Sequence, residues 1–356
     1  MLLRNQHPEN RSIWVGVFGE PNVGKSSLIN YLIGQDLSAV TPKAQTTRNY
    51  FNCVFTIDRV EVVLIDTPGL HFSNQEFNRR MNQQAADAGR RTDLNLLLLD
   101  ISRDVVDQLK TFCKKFIQEN EFSEFKGKPL WVAFNKSDLL EENGDGKGGR
   151  KLVALTDLLK KFLPPEMVVT RVFMLSAVSG DGVHELTAAL YDTAPSGPHH
   201  YRDGDISDKN QRFFVGEYIR EQAFCLLHEE IPYEMGVVID DFKDKDKDKD
   251  KDKDRNRDEP VVASIDATIV VNRPSQRAIV VGKSGAMIRE IGVRSRKRIE
   301  DLLGGKIFLN LHVKVCPKWF RNNHILEQMG LPRAQKSVRV WRKREEVREG
   351  GENVRR

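Results

Sequence analysis

Short apolar runs recur through the first half of the chain, each followed by an amphipathic stretch. Ile13–Phe18, Val60–Ile65, Leu94–Asp100, Leu130–Asn135 and Val168–Leu175 are dense in leucine or β-branched residues. Their length suits strands buried on both faces better than helices. Between them, Lys25–Ile33, Gln75–Arg90, Asp104–Glu119, Lys151–Phe162 and Val183–Asp192 carry helical spacing, the first ending near Gly34. Strand, helix, strand at these intervals predicts βαβ units: an α/β domain with a mostly parallel sheet and helices on both faces.

The pattern changes after Ala194–Asp205, a stretch of Pro, Gly and charge that reads as a domain boundary. Beyond it the order is helix Asp208–Leu227, strand Gly236–Asp240, strand Val261–Asn272, apolar run Ala278–Val281, helix Met287–Leu303 and strand Lys306–Val315. This predicts a second, smaller α+β domain. Between its first two strands lies Lys243–Glu259, whose first twelve residues are six Lys alternating with six Asp. With nothing apolar to bury, the tract reads as a solvated hairpin loop without net charge. The predicted organisation is an extension 1–12, a first domain 13–193, a linker 194–207, a second domain 208–332 and a basic tail 333–356.

Composition narrows the class. At 356 residues and 39% apolar the chain has material for two cores, and no apolar run approaches the roughly 20 residues of a membrane span. Cys53, Cys113, Cys225 and Cys316 form no CxxC pair, which argues against a zinc ribbon or a disulfide framework and for a reducing cytoplasm. The net charge is only +5, yet Val261–Pro332 holds 12 Lys and Arg against five Asp and Glu. The basic excess is therefore concentrated in the second domain, as expected of a surface for a polyanion.

Candidate chemistry sits at the ends of the predicted strands. Gly19-Glu20-Pro21-Asn22-Val23-Gly24-Lys25-Ser26, followed by Ser27, joins a strand to a helix and matches a phosphate-binding loop. Its backbone N–H groups would cradle the phosphates, Lys25 would reach the outer ones, and the Ser26 hydroxyl would bind Mg²⁺. Asp66-Thr67-Pro68-Gly69 follows the next strand: Asp66 suits a water-linked Mg²⁺, and Gly69 suits close approach to a γ-phosphate. Asn135-Lys136-Ser137-Asp138 ends another strand. A carboxylate at 138 can accept two hydrogen bonds from guanine that adenine does not offer, while Asn135 ties the loop to the phosphate loop and Lys136 packs along the base. Ser176-Ala177 would bring a backbone N–H to the guanine oxygen. In the second domain Gly282-Lys283-Ser284-Gly285 precedes a helix and fits a GXXG clamp on single-stranded RNA, with Arg289, Arg294, Arg296, Lys297, Arg298 and Lys318 as phosphate contacts.

GEPNVGKSSLIN, PKAQTTRN, DTPGLH, NKSD and SAVSGDGV in the first domain, with DKNQRFFVGEYIREQ, EIPYE and AIVVGKSGAMIREIG in the second, resemble the Era family of GTPases across residues 13–332. The resemblance implies a P-loop GTPase domain followed by a type II KH domain. It implies GTP hydrolysis to GDP, binding of the three-prime end of small-subunit ribosomal RNA, and a role in assembling the small ribosomal subunit. It also implies a switch at Lys43–Arg48, in which Thr47 or the adjacent Thr46 binds Mg²⁺. Asn22 is implicated in holding a catalytic K⁺, so that Asn22, Lys25, Thr47 and Gly69 form the catalytic set. Leu70 stands where Ras-like enzymes carry a water-orienting Gln, which implies slow intrinsic turnover. The same likeness implies a monomer in the cytoplasm with peripheral association at the inner membrane. Two rival functions fit these residues: a non-catalytic nucleotide-binding RNA chaperone, and a related GTPase acting on another RNA.

Overall fold

A computed structural model describes residues 6–41, 51–66, 92–118, 127–140, 147–244 and 261–330. The first domain is a six-stranded sheet of β1 (Arg11–Phe18), β2 (Phe51–Ile57), β3 (Val60–Asp66), β4 (Leu94–Asp100), β5 (Leu130–Asn135) and β6 (Val169–Met174). The strand order is β2-β3-β1-β4-β5-β6, antiparallel only between β2 and β3. The helices are α1 (Lys25–Ile33), α2 (Val105–Gln118), α3 (Lys147–Phe162) and α4 (Val183–Thr193).

Every residue of β3, β4 and β5 is buried, as parallel strands covered on both faces should be. Alternation sends Leu94, Leu96 and Leu98 of β4 into one core and Leu97 and Leu99 into the other. The sequence did not suggest β2, because FNCVFTI mixes polar residues into its pattern. The strand forms because Asp58, at φ 52°, turns the chain back onto β3 in a two-residue hairpin.

The second domain begins with α5 (Gln211–Leu226), then α6 (Ile231–Glu234), β7 (Gly236–Asp244), β8 (Val261–Val271), α7 (Pro274–Val281), α8 (Ala286–Leu303), β9 (Lys306–Val315) and α9 (Asn323–Gln328). Its sheet runs β7-β8-β9, antiparallel then parallel. Ala278–Val281 is the end of a helix, whose Pro274 start is fixed by Gln276 Oε1 accepting from the Asn272 and Arg273 N–H groups. The Lys–Asp tract is not loop from its first residue, because Lys243 and Asp244 pair with Ser264 and Ala263. Gln75–Arg90, the remainder of the tract and the tail from 333 lie outside the described residues.

The boundary segment is bonded along the first sheet. The buried Glu61 carboxylate accepts from the N–H groups of His200 and Tyr201 at 2.8 and 3.0 Å, and Ser12 N donates to Pro195 O. Phe51 packs edge-on against Phe213 and Phe214, both at 5.5 Å, so one apolar cluster runs from β1 through α5 into β8. Among the described residues no helix is long and apolar enough to cross a membrane.

This shared core predicts that the two domains melt together. Phe214→Ala should cost about 3–5 kcal/mol and lower a single calorimetric transition. A variant in which only the second domain melts early would contradict a continuous core.

Candidate functional site

The phosphate loop is shaped by three backbone positions with positive φ: Gly19 (148°), Asn22 (64°) and Gly24 (99°). A Cβ at Gly24 would lie 2.2 Å from the Asn135 Nδ2 atom, so only glycine fits. Gly24 caps α1, whose first-turn N–H groups open towards the loop. Lys25 is buried and spans the loop, donating through Nζ to the Gly19 and Glu20 carbonyls at 3.1 and 3.0 Å. These contacts hold the ammonium where a phosphate oxygen would replace a carbonyl. Burial pulls its pKa down to about 8 against the opposing pull of Asp66 and Glu20. Pro21, Val23 and Ser27 fall within the same turn and helix start.

Asp66 ends β3 with no exposed surface. The Ser26 hydroxyl donates to its Oδ2 at 3.4 Å, while Oδ1 is buried and accepts no hydrogen bond. Burial raises its carboxyl to about 6, eased by Lys25 and the nearby Ser38 and Ser26 hydroxyls. An orphaned, desolvated carboxylate oxygen beside a serine hydroxyl is a donor set for a hard divalent cation. Thr67, Pro68, Gly69 and Leu70 lie outside the described residues, as do Thr46, Thr47 and the whole of Lys43–Arg48.

Asn135 joins three loops. Its Nδ2 donates to Val23 O at 2.7 Å, and its Oδ1 accepts from Ala177 N at 2.9 Å. The expected tie from this residue to the phosphate loop is present. Here the Ala177 N–H is taken up by Asn135. The Val178 and Ser179 N–H groups are taken up by Ser176 Oγ, at 3.3 and 3.1 Å. Lys136, in a left-handed conformation (φ 67°), sends Nζ to Asp100 Oδ2 at 2.6 Å. Burial would raise the Asp100 carboxyl, but hydrogen bonds from Lys136 and Ser102 outweigh it and hold the group below the usual range. Asp138 is exposed in the short 3₁₀ turn Ser137–Leu139, open to a ligand.

Sequence reasoning missed Asp100 and its neighbour Gln108, which clamps the end of β4 through Asp100 N and O, both at 2.8 Å. The available signal was an acid closing a leucine-rich strand, much as an acid at a strand end marked Asp66.

In the second domain Gly282 (φ 74°), Ser284 (φ 52°) and Gly285 (φ 77°) bend the chain between α7 and α8. A Cβ at Gly282 would stand 2.7 Å from Met287 Cβ, and Lys283 and Ser284 project outward. Arg289 and Lys297 are exposed, Arg296 is half-buried, and Arg294 is exposed but paired with Glu290 at 2.7 Å. Lys318 is exposed at the start of the 3₁₀ turn Trp319–Arg321. Arg298 does not belong with them, because its guanidinium is engaged by Glu221, at 2.8 Å, and by first-domain carbonyls. On α7, Ile279 is 50% exposed, whereas Val280 is buried.

Residues 14–136 match the family model for a 50S ribosome-binding GTPase, and residues 231–320 match that for a KH domain. The chain is 33% identical over 322 residues to GTPase Era of Lacticaseibacillus paracasei, covering 90% of this chain and 97% of that one. Against GTPase Era of Thermotoga maritima it is 34% identical over 322 residues, with the same coverage. A crystal structure of Era in complex with MgGDPNP and nucleotides 1506–1542 of 16S ribosomal RNA superposes with a TM-score of 0.76. That match is 29% identical and covers 91% of this chain and all of that one. A point variant of Aquifex aeolicus Era bound to GDP·AlF4⁻ gives a TM-score of 0.75 at 28% identity, with 91% and 100% coverage.

The state of Asp66 is measurable. Its folded pKa, about 6, lies above the unfolded value, so its contribution to stability is complete below about pH 4 and lost as pH rises through 6. The loss is on the order of 3 kcal/mol in nucleotide-free protein. Relative to wild type, Asp66→Asn should therefore gain stability between pH 4 and 7 in denaturant unfolding. A difference independent of pH would contradict a desolvated carboxylate.

Proposed function

The chain belongs to the Era family of GTPases, which hydrolyse GTP to GDP and phosphate, and we propose that it uses this switch to act on small-subunit ribosomal RNA during assembly of that subunit. The observation that carries this reading is the double tie from Asn135, which sets a phosphate loop and a base-selecting loop at one sheet edge. The basic domain with its GXXG turn, joined to that edge through a shared core, supplies the RNA arm. The 16S ribosomal RNA held by the related Era supports the choice of partner.

In this reading the N–H groups at the start of α1 bind the phosphates of GTP, and Lys25 moves from its two carbonyls to the outer phosphate oxygens. Ser26 and Asp66 would hold Mg²⁺, joined by Thr47. When bound, Mg²⁺ neutralises charge on the phosphate oxygens as the terminal bond breaks. Asp66 loses its share of a proton as it takes up this role. Asp138 accepts the guanine ring N–H and amine, and adenine leaves that carboxylate unpaired. Gly69 contributes its N–H at the γ-phosphate. Asn22 would hold K⁺, whose charge would do the work of an arginine finger, and Leu70 offers the attacking water no polar group, so unassisted turnover is slow. On the second domain, Gly282–Gly285 grips the RNA backbone while Arg289 and Arg294 contact phosphates. The protein works as a cytoplasmic monomer with peripheral contact at the inner membrane.

Three measurements test this. Pure protein should release phosphate from GTP while Lys25→Ala does not; equal activity in both would refute the assignment. Turnover should be higher in K⁺ than in Na⁺, and Asn22→Ala should remove that difference; wild-type indifference to the cation would remove K⁺ from the mechanism. Exchanging Lys283 and Ser284 for Asp should weaken single-stranded RNA binding about tenfold or more while leaving GTP affinity unchanged. Unaltered RNA affinity would move the RNA site elsewhere.

A further inference from the structure

Residues 36–41 leave the end of α1, and the chain then enters the segment assigned as the switch. They are held from two sides. On the first-domain side, Asn30 of α1 clamps Ser38, accepting from its N–H at 2.7 Å and donating to its carbonyl at 2.9 Å. The Ser38 hydroxyl helps to hold down the Asp66 carboxyl. On the second-domain side, Glu221 of α5 is 2% exposed and accepts from Val40 N at 2.9 Å. Arg298 of α8 donates to the same Glu221 Oε1 at 2.8 Å and to Asp36 O at 3.1 Å. The Arg298 guanidinium lies 4.5 Å from the centre of the Tyr218 ring, and the Tyr218 hydroxyl donates to Asp36 O at 2.9 Å.

We propose that Glu221, Arg298 and Tyr218 are positioning residues for the GTPase site, forming a clasp through which the RNA-binding domain sets the loop beside α1 and Asp66. This deepens the switch reading given above and rests on it. The chemistry suits a device with two settings. A buried carboxylate shared between a backbone N–H and a guanidinium is unfavourable with either partner removed, so the clasp is either fully made or fully released. A movement of 36–41 by even one hydrogen-bond length breaks contacts on both sides at once. Arg298 serves because its planar fork reaches the carboxylate and a carbonyl together, which a lysine cannot match. The contacts pass from α8, the helix that follows the GXXG turn, to α1, the helix that follows the phosphate loop. Nucleotide state and RNA occupancy must then bias each other equally, as linkage requires.

The test measures affinity for the 16S ribosomal RNA segment named above, with full-length protein and Mg²⁺, in a non-hydrolysable GTP analogue and in GDP. Wild type should show a ratio between the two states within about 5- to 150-fold. Arg298→Lys and the milder Tyr218→Phe, which removes one hydroxyl and keeps the ring, should each shrink that ratio on the order of threefold or more. Both should also change kcat for GTP more than KM. A wild-type ratio of one, or a ratio unchanged in both variants, overturns the clasp. An equal loss of RNA affinity in both nucleotide states also overturns it and returns Arg298 to direct RNA contact. A wild type that binds neither guanine nucleotide nor this RNA overturns the functional reading itself.

Discussion

One side-chain amide organises the nucleotide edge of this molecule. Asn135 closes β5 and, with both ends of its buried amide engaged, fixes the phosphate loop at Val23 and the loop after β6 at Ala177. Three loops from three strands are thereby held at distances that no one of them determines. The amide meets the Val23 carbonyl at 2.7 Å, and Gly24 allows that approach because any Cβ there would meet the amide nitrogen. Each bond contributes only about 1 kcal/mol net, but leaving either partner unpaired in a buried site costs more. The constraint is therefore asymmetric: modest when made, expensive when broken.

Around that frame the charges are held against their preferences. Lys25 and Asp66 are both buried, with pKa values of about 8 and about 6 displaced towards their neutral forms. Each is tuned to meet a charged ligand rather than to stabilise the resting fold. Asp100 is the contrast. It is equally enclosed, but its bonds from Lys136 and Ser102 keep it ionised as a structural anchor for the base loop. The second domain reaches the same region through Glu221, so the RNA arm and the phosphate arm share a wall.

Most strands and helices were legible because burial on both faces leaves continuous apolar runs, as in β4 and β5, and because glycines mark α1 at both ends. The phosphate loop, Asp66, Asn135 and the GXXG turn were legible because their spacing carries their chemistry. β2 was hidden because an edge strand alternates with polar residues and depends on its partner. α7 was hidden because its start is fixed by Gln276 reaching back to Asn272, a tertiary detail. At Ala177, Lys136 and Arg298 the fold already engages groups that the sequence marked as candidates. Sequence indicates which groups can bind a ligand, but not which of them the fold already occupies. Arg298 read as an RNA contact because it sits on a basic helix, and nothing local reveals that residues 36–38 lie against it.

The most direct test of this frame is isothermal titration of Asn135→Ala with GDP and ADP. Loss of the amide should weaken GDP binding and erode the preference for guanine together, since the loops that hold phosphate and base are no longer registered. GDP binding and guanine preference both equal to wild type would contradict the account at its centre.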